Sequence, residues 1–221
     1  MPEVIFQGAD GRLEGRYVHG KGENPPLAIV FHPHPLHGGT MNNRVVYTLF
    51  HVFARRGFSV LRYNSRGVGR SQGVFDHGQG ELRDAAIALD WMQSLNPDST
   101  TVWVAGFGFG AWIAMQLLMR RPEVEGFICC ALPANLYDFG FLAPCPASGL
   151  LVHGERDMVT PPEAVERFLS RLAQQRGTTV EFQTIEGTDH FFRNAFDRLE
   201  AICEAYLDRR LAPTETVAIE R

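Results

Sequence analysis

The sequence predicts an α/β fold in which a mostly parallel, doubly wound sheet of about eight strands is flanked by helices. Short apolar runs alternate with longer amphipathic stretches along the chain, which is the pattern of repeated strand–helix–strand units. The later apolar runs are nearly continuous rather than alternating, as expected of strands that are buried on both faces of a parallel sheet. Together these observations favour a sheet with helices on both sides.

The predicted strands and helices follow one another in a regular order. Two runs, VIFQG and LEGRYV, predict an opening antiparallel pair joined by the turn ADGR. The remaining strands are predicted at 27–32, 59–64, 101–106, 126–131, 149–153 and 179–185. Amphipathic stretches predict helices at 42–56, 80–95, 110–121, 162–176 and 192–210.

The composition fits one globular domain. Of the 221 residues, 45% are hydrophobic and 21% are charged, which is enough apolar surface for a sizeable core. We therefore predict a single domain at 1–211 and a flexible C-terminal tail at 212–221. Only about 17 residues separate the strand predicted at 126–131 from the one at 149–153, so a large inserted lid has no room there.

The charge and the cysteine pattern limit the partners and the compartment. The net charge of −4 supplies no basic field, which argues against nucleic acid as a partner. No apolar run approaches the roughly 20 residues that span a bilayer, and the N-terminus lacks a signal-peptide pattern. The four cysteines have no Cys-x-x-Cys spacing, and two of them adjoin in an apolar run. We therefore expect buried thiols, a cytoplasmic protein, and neither a metal nor a cofactor.

Polar and titratable residues cluster after the predicted strands, where open α/β sheets bind ligands. Asp157 follows the strand at 149–153, and His190 follows the last strand in GTDHFF. A carboxylate that accepts a hydrogen bond from imidazole Nδ1 fixes the tautomer and leaves Nε2 as a general base. The turn GFGFG at 106–110 precedes both, which is the chain order nucleophile, acid and base. Asp157 alone also fits a helix N-cap, but the order and the strand ends together predict a catalytic dyad.

These loop motifs together resemble those of the lidless bacterial α/β hydrolases of the serine-esterase or dienelactone-hydrolase-like type. The resemblance covers almost the whole chain and is carried by HPHPLHGGTMNNRVV, NSRGVGRSQG, VAGFGFGAW, GERDMVTP and GTDHFF. It implies the α/β-hydrolase fold without a large lid, and a site that cleaves carboxylic-ester or related acyl bonds. In that family the turn after the fifth strand reads Gly-x-Ser-x-Gly, whereas this chain has Gly108 at the apex.

Gly108 removes the attacking group but is expected to leave the turn intact. The apex of such a turn has a strained backbone conformation, which glycine adopts at little steric cost. Gly106 and Gly110 remain, and a Cβ at either position is expected to clash with the neighbouring strand or helix. An acyl-enzyme at residue 108 is therefore excluded.

The same turn predicts an oxyanion hole. The backbone N–H of Phe109, just after the apex, is the first expected donor, and the second comes from the loop after the third strand. In HPHPL, Pro33 and Pro35 have no N–H, so that His34 is the expected second donor and Leu36 the next choice.

The turn also matches a dinucleotide-binding pattern, since GFGFGA satisfies Gly-x-Gly-x-x-Ala between a strand and a helix. The match does not lie on the first strand, and the strand GFICCA ends in LPANL, without the acidic residue that a ribose requires. Nucleotide binding also leaves Asp157 and His190 unexplained. We therefore interpret the turn as a nucleophile elbow that lacks its nucleophile.

Three functions are compatible with such a site. In the first, the chain is a serine hydrolase whose serine was removed, by engineering or in this copy of the gene. In the second, it is a nucleophile-independent lyase, cyclase, isomerase or hydratase that uses His190 as a general base. In the third, it is a non-catalytic small-molecule binding protein.

Apolar residues near the turn favour an apolar acyl or aromatic ligand: Leu36, Phe107, Phe109, Trp112, Phe139 and Phe141. The segment LPANLYDFGFLAPCP is the expected source of a partial cap.

Overall fold

A computed structural model describes residues 2–142, 144–172 and 177–212. Within these residues, eight strands form one sheet, and five α-helices and two short 3₁₀ turns connect them. The tail predicted at 212–221 lies outside the described residues from position 213 onward. In the part of the chain that is described, no helix has the length and apolar character needed to cross a membrane.

The sheet confirms the predicted fold class. Its strands lie in the order β1-β2-β4-β3-β5-β6-β7-β8, and β2 runs antiparallel to both of its neighbours while all other pairs are parallel. The strands are β1 (Glu3–Gly8), β2 (Gly11–Val18), β3 (Leu27–Phe31), β4 (Ser59–Tyr63), β5 (Val102–Phe107), β6 (Val124–Cys130), β7 (Ser148–Gly154) and β8 (Val180–Ile185). The carboxyl edge shared by the parallel strands is where the loops of the predicted site begin.

The helices cover both faces of the sheet. They are α1 (Arg44–Arg55), α2 (Gln79–Leu95), α3 (Phe109–Leu118), α4 (Pro162–Leu172) and α5 (Phe196–Leu211). One core cluster includes side chains of α1 and α5, and the other includes side chains of α2, α3 and α4. Helix α5 begins later than predicted because Phe192 and Asn194 have φ values of +56° and +60°, and a right-handed helix does not include such residues.

The central strands are buried on both faces, which explains why β3 and β5 are apolar along their whole length, although the equally buried β4 also contains Ser59 and Arg62. Every residue of β3, β4 and β5 is buried. Each Val, Leu, Ile or Phe side chain placed in such a core stabilises the fold by about 1.5–3 kcal/mol. The strand ends are thereby held firmly, and the loops that follow them start from fixed positions.

The connection between β6 and β7 is short and contains no inserted domain. Among its described residues, the only regular element is the 3₁₀ turn Gly140–Leu142. This agrees with the prediction that a large lid has no room there. The cavity described below therefore opens directly to solvent.

Candidate active site

The turn between β5 and α3 consists of a single residue. Strand β5 ends at Phe107 and α3 begins at Phe109, with Gly108 between them at φ +55° and ψ −120°. A Cβ built on Gly108 would lie 3.9 Å from the Cβ of Pro33 and 4.0 Å from Nε2 of His190. A side chain at this position would therefore be directed at the His190 ring without a clash.

The two flanking glycines have no such space. A Cβ at Gly106 would overlap the Gly110 carbonyl group and lie 2.6 Å from the backbone nitrogen of Ala111. A Cβ at Gly110 would overlap the Phe31 carbonyl and lie 2.5 Å from the carbonyl oxygen of His32. These distances confirm the predicted reason for glycine at both positions, because real Cβ contacts are not this short.

The structure brings Asp157 and His190 together. Asp157 follows β7, His190 follows β8, and Nδ1 of His190 donates a hydrogen bond to Oδ2 of Asp157 at 2.8 Å. The second carboxylate oxygen, Oδ1, accepts the backbone N–H groups of Val159 (2.9 Å) and Thr160 (2.8 Å). The Thr160 hydroxyl donates to Oδ2 at 2.8 Å. Both carboxylate oxygens are therefore satisfied, and the carboxylate is fixed in orientation.

The surroundings of Asp157 keep its carboxylate ionised. Burial by itself raises the pKa of Asp157, but hydrogen bonds from His153, His190 and Thr160 outweigh it and hold the pKa far below the usual value. Because the carboxylate is charged and accepts from Nδ1 of His190, that nitrogen carries the proton. The Nε2 atom of His190 is therefore left as an acceptor that faces the space above Gly108.

His153 is a contact of Asp157 that the sequence did not predict. It lies in β7 and is 1% exposed, and its Nε2 lies 2.5 Å from the Thr160 carbonyl oxygen and 3.2 Å from Oδ2 of Asp157. Asp157 therefore lies between two imidazoles. The available signal was a histidine near the end of an otherwise apolar buried strand, four residues before the carboxylate.

The two residues expected to form an oxyanion hole both line one cavity, Phe109 from the start of α3 and His34 from the loop after β3. The Phe109 N–H belongs to the first turn of α3, where N–H groups have no intrahelical acceptor. His34 precedes the 3₁₀ turn Pro35–His37. The N–H of Leu36, the second choice, donates to Nδ1 of the His34 ring at 3.2 Å and is thereby engaged within its own loop.

His32 holds this loop and was not predicted as a functional residue. Its Nδ1 donates to the Pro33 carbonyl oxygen at 2.6 Å, and its Nε2 accepts the Ser65 N–H at 2.9 Å. The side chain is 2% exposed, and burial lowers the pKa of His32 to about 4. A neutral imidazole therefore ties the loop after β3 to the loop after β4.

A cavity of about 510 Å³ lies over Gly108. Its walls combine aromatic rings, imidazoles and backbone: Pro33, His34, His37, Gly38, Gly39, Asn43, Phe107, Gly108, Phe109, Pro133, Leu136, Tyr137, Val159, Thr160, His190 and Phe191. Among these described lining residues there is no Asp, Glu, Lys or Arg. The described lining is therefore apolar or uncharged, and its side chains carry positive charge only where an imidazole is protonated.

Of the six apolar residues noted near the turn, Phe107 and Phe109 line the cavity and the other four are not among its described lining residues. Trp112 stacks on Tyr137 with ring centroids 4.4 Å apart, so Tyr137 rather than Trp112 reaches the cavity. Phe139 packs between Phe141 and Phe168 in the core, and Leu36 points to solvent. The segment after β6 does contribute to the wall, through Pro133, Leu136 and Tyr137.

Comparison with known proteins places this geometry among related chains. Residues 12–209 match the family described as X-Pro dipeptidyl-peptidase (S15 family). A candidate α/β hydrolase of unknown function from Agrobacterium tumefaciens is 58% identical, with a TM-score of 0.93 over 95% of this chain and 96% of that one. An α/β serine hydrolase without a lid from Xanthomonas campestris is 31% identical, with a TM-score of 0.86 over 96% of each chain. An uncharacterised protein from Rickettsia prowazekii is 46% identical over 211 residues, which cover 94% of this chain and 89% of that protein.

Proposed function

The chain belongs to the peptidase S15 family and has the α/β-hydrolase fold of its solved relatives, and on that premise we propose that its cavity binds a small apolar acyl or aromatic compound. Gly108 stands at the position of the nucleophile of a serine hydrolase, and His190, oriented by Asp157, is the reactive group. The observation that carries this proposal is the direction of His190 Nε2, which faces the side-chain position of residue 108 from 4.0 Å.

The distance between these two positions supports the assignment of residue 108. A hydroxyl placed one bond beyond the Cβ of residue 108 comes within the 2.6–3.2 Å or so over which a nucleophile donates its proton to a base. In this chain the position holds only hydrogen. Covalent catalysis through residue 108 is therefore absent, while the base and its carboxylate partner are retained.

The cysteines offer no replacement nucleophile. All four are buried, and burial raises the pKa of the Cys129 thiol far above its usual value, which suppresses the reactive thiolate. No cysteine or serine is among the described residues that line the cavity. The burial of the thiols also supports our proposal of a reducing, cytoplasmic compartment.

The charges of the cavity support a neutral acyl group rather than a peptide terminus as the ligand. An enzyme that removes dipeptides must hold the free α-ammonium group of its substrate, for which a carboxylate is the natural partner. The described lining residues include no Asp or Glu. An ester or related carbonyl compound, whose oxygen is held by the backbone N–H groups of Phe109 and His34, fits this lining better.

The test is the Gly108→Ser variant, assayed with short-chain 4-nitrophenyl esters and a fluorophosphonate probe. A triad nucleophile contributes on the order of 10⁶-fold to turnover, so even an imperfectly placed serine should raise ester hydrolysis by about 10²-fold or more. It should also label covalently. The Gly108→Ala variant, which has the same backbone strain without a hydroxyl, and the Gly108→Ser/His190→Ala double variant should do neither. A folded Gly108→Ser protein that neither hydrolyses nor labels would contradict the proposal.

A further inference from the structure

A second imidazole lines the cavity that holds His190. His34 lies on the loop after β3, and its ring contacts Phe109 and Phe75 with centroids 5.1 Å and 5.0 Å away. We infer that the His34 imidazole donates a hydrogen bond to a substrate carbonyl oxygen, while His190 removes a proton from the carbon beside that carbonyl. This inference rests on the proposed function and assigns the reaction class of the unaltered chain, namely proton transfer next to a carbonyl group.

The hydrogen bonds of the two rings give them opposite roles. Nδ1 of His190 donates to the ionised Asp157 carboxylate, so that Nε2 is an acceptor. Nδ1 of His34 accepts the Leu36 N–H at 3.2 Å, so that the proton of the neutral ring is on Nε2. One cavity therefore contains an imidazole fixed as a base and another fixed as a hydrogen-bond donor.

The surroundings of His34 favour the neutral ring. Burial lowers the pKa of His34, and the nearby imidazoles of His37 and His77 lower it further. The His37 ring stacks on His34 with ring centroids 4.3 Å apart, which places a second imidazole directly against the His34 ring. A neutral imidazole with a lowered pKa polarises a carbonyl group without transferring its proton, as in isomerases that pair such a ring with a separate base.

The absence of a side chain at residue 108 suits this reaction. A proton is removed efficiently when the reacting atoms approach to about 3–3.5 Å. The Cβ position of residue 108 lies 4.0 Å from Nε2 of His190 and is not filled in this chain. A substrate carbon can therefore occupy the space that a serine side chain would take, next to the base.

The step balances without a co-reactant. Nε2 of His190 takes the proton, the C–H electron pair forms a carbon–carbon double bond, and the carbonyl π pair moves to oxygen. The resulting enolate oxygen is held by Nε2–H of His34 in addition to the backbone N–H groups of Phe109 and His34, and the Asp157 carboxylate stabilises the His190 imidazolium. Return of the proton from His190, to the same carbon or to a conjugated one, completes the cycle.

Deuterium exchange tests this step directly. The unaltered chain is incubated with phenylacetone in D₂O, and loss of the benzylic CH₂ signal is followed by proton NMR. Exchange should exceed that of buffer alone, and His190→Ala should lower the protein-dependent rate by about 10²–10⁴-fold. His34→Phe keeps a ring against Phe75 and Phe109 but removes Nε2–H, and should lower the rate by about 10²–10³-fold. His51→Phe, on α1 and outside the cavity lining, is the matched control and should change little.

The outcomes separate this inference from the proposed function. If Gly108→Ser gains esterase activity but the unaltered chain exchanges no deuterium, the inference is overturned and the proposed function stands. If exchange occurs and a folded His34→Phe retains it, the role of His34 is overturned. The tautomer of His34 can be read from ¹⁵N NMR of the unaltered chain, with no variant needed. A proton on Nδ1 rather than Nε2 would overturn the assignment of a donor.

Discussion

The outer glycines and the central glycine of the turn after β5 meet different constraints. At Gly106 and Gly110 a Cβ would collide with backbone atoms, whereas at Gly108 the nearest atoms are 3.9 Å and 4.0 Å away. Only Gly108 has a positive φ, at +55°. The outer glycines therefore serve the packing of the strand and the helix, and the central one occupies a position that has room for a side chain. The shape of the turn and the chemistry at its apex are thus separable.

The largest effect is expected at an outer glycine. Gly110→Ala forces a Cβ into the carbonyls of Phe31 and His32, and overpacking of this kind against rigid backbone should cost about 3 kcal/mol or more. Gly108→Ala, two residues earlier in the chain, is the matched comparison and should cost less. Urea unfolding of the two variants measures the difference. Equal losses of stability would remove the distinction between the positions.

The next largest effect concerns the loop that crowds Gly110. His32 stays neutral in the folded chain, with its pKa lowered from 6.5 to about 4, so between these values the unfolded state binds a proton that the folded state does not. The free energy of unfolding should therefore fall by about 3 kcal/mol as the pH falls through this range. Above pH 6.5, the contribution of the neutral His32 to stability should be complete. Urea unfolding at pH 7.5, 5.5 and 4.5 measures this slope.

His32→Gln is the control for that slope. Its Oε1 can still accept the Ser65 N–H but it does not titrate, so this variant should show a flatter dependence of unfolding free energy on pH. Other groups, such as Asp157, titrate in both proteins and cancel in the comparison. An unchanged slope in the variant would show that His32 is not the group that destabilises the loop in acid.

The third effect, smaller than the two above, is expected at the apex itself. Gly108→Ala meets no atom closer than 3.9 Å, so that its cost is backbone strain alone, about 2 kcal/mol. Gly38 is a suitable reference, because it also has a positive φ (+77°) and nothing within 4 Å, but its ψ of 14° lies in the left-handed helical region. Gly38→Ala should cost only about 1 kcal/mol. A larger loss at Gly38 than at Gly108 would contradict the strain assigned to the apex.

Hydrophobic periodicity was sufficient to predict the eight strands and five helices to within a few residues. It succeeded because β3 and β5 are apolar along their whole length and because the helices direct apolar side chains at the core, α3 being apolar at every position except Gln116. It failed at the start of α5, where left-handed residues such as Asn194 delay the helix. A positive φ at a residue other than glycine cannot be predicted from the spacing of apolar residues.

The site was predictable only in part. The order of the loops along the chain and their position after parallel strands predicted that Asp157 and His190 approach one another. His153 carries only the weak signal of a histidine near the end of an apolar strand, and the contacts of His32 and His153 depend on neighbouring loops, which the local sequence does not reveal. Proximity to the turn along the chain does not identify the lining either, because a ring such as Trp112 can support the wall without reaching the cavity.

The free space beside Gly108 has a consequence for the evolution of the chain. The glycine codons GGU and GGC become the serine codons AGU and AGC by one base substitution. The outer glycines and the hydrogen-bonded pair Asp157 and His190 are already in place, and a Cβ at the apex meets no atom closer than 3.9 Å. From such a codon, gain and loss of a nucleophile are each a single mutational step that needs no compensating change elsewhere in the sheet. Under the proposed function, the chemistries of the glycine and serine forms are therefore separated by one mutation, and selection can pass between them without crossing an unfolded intermediate.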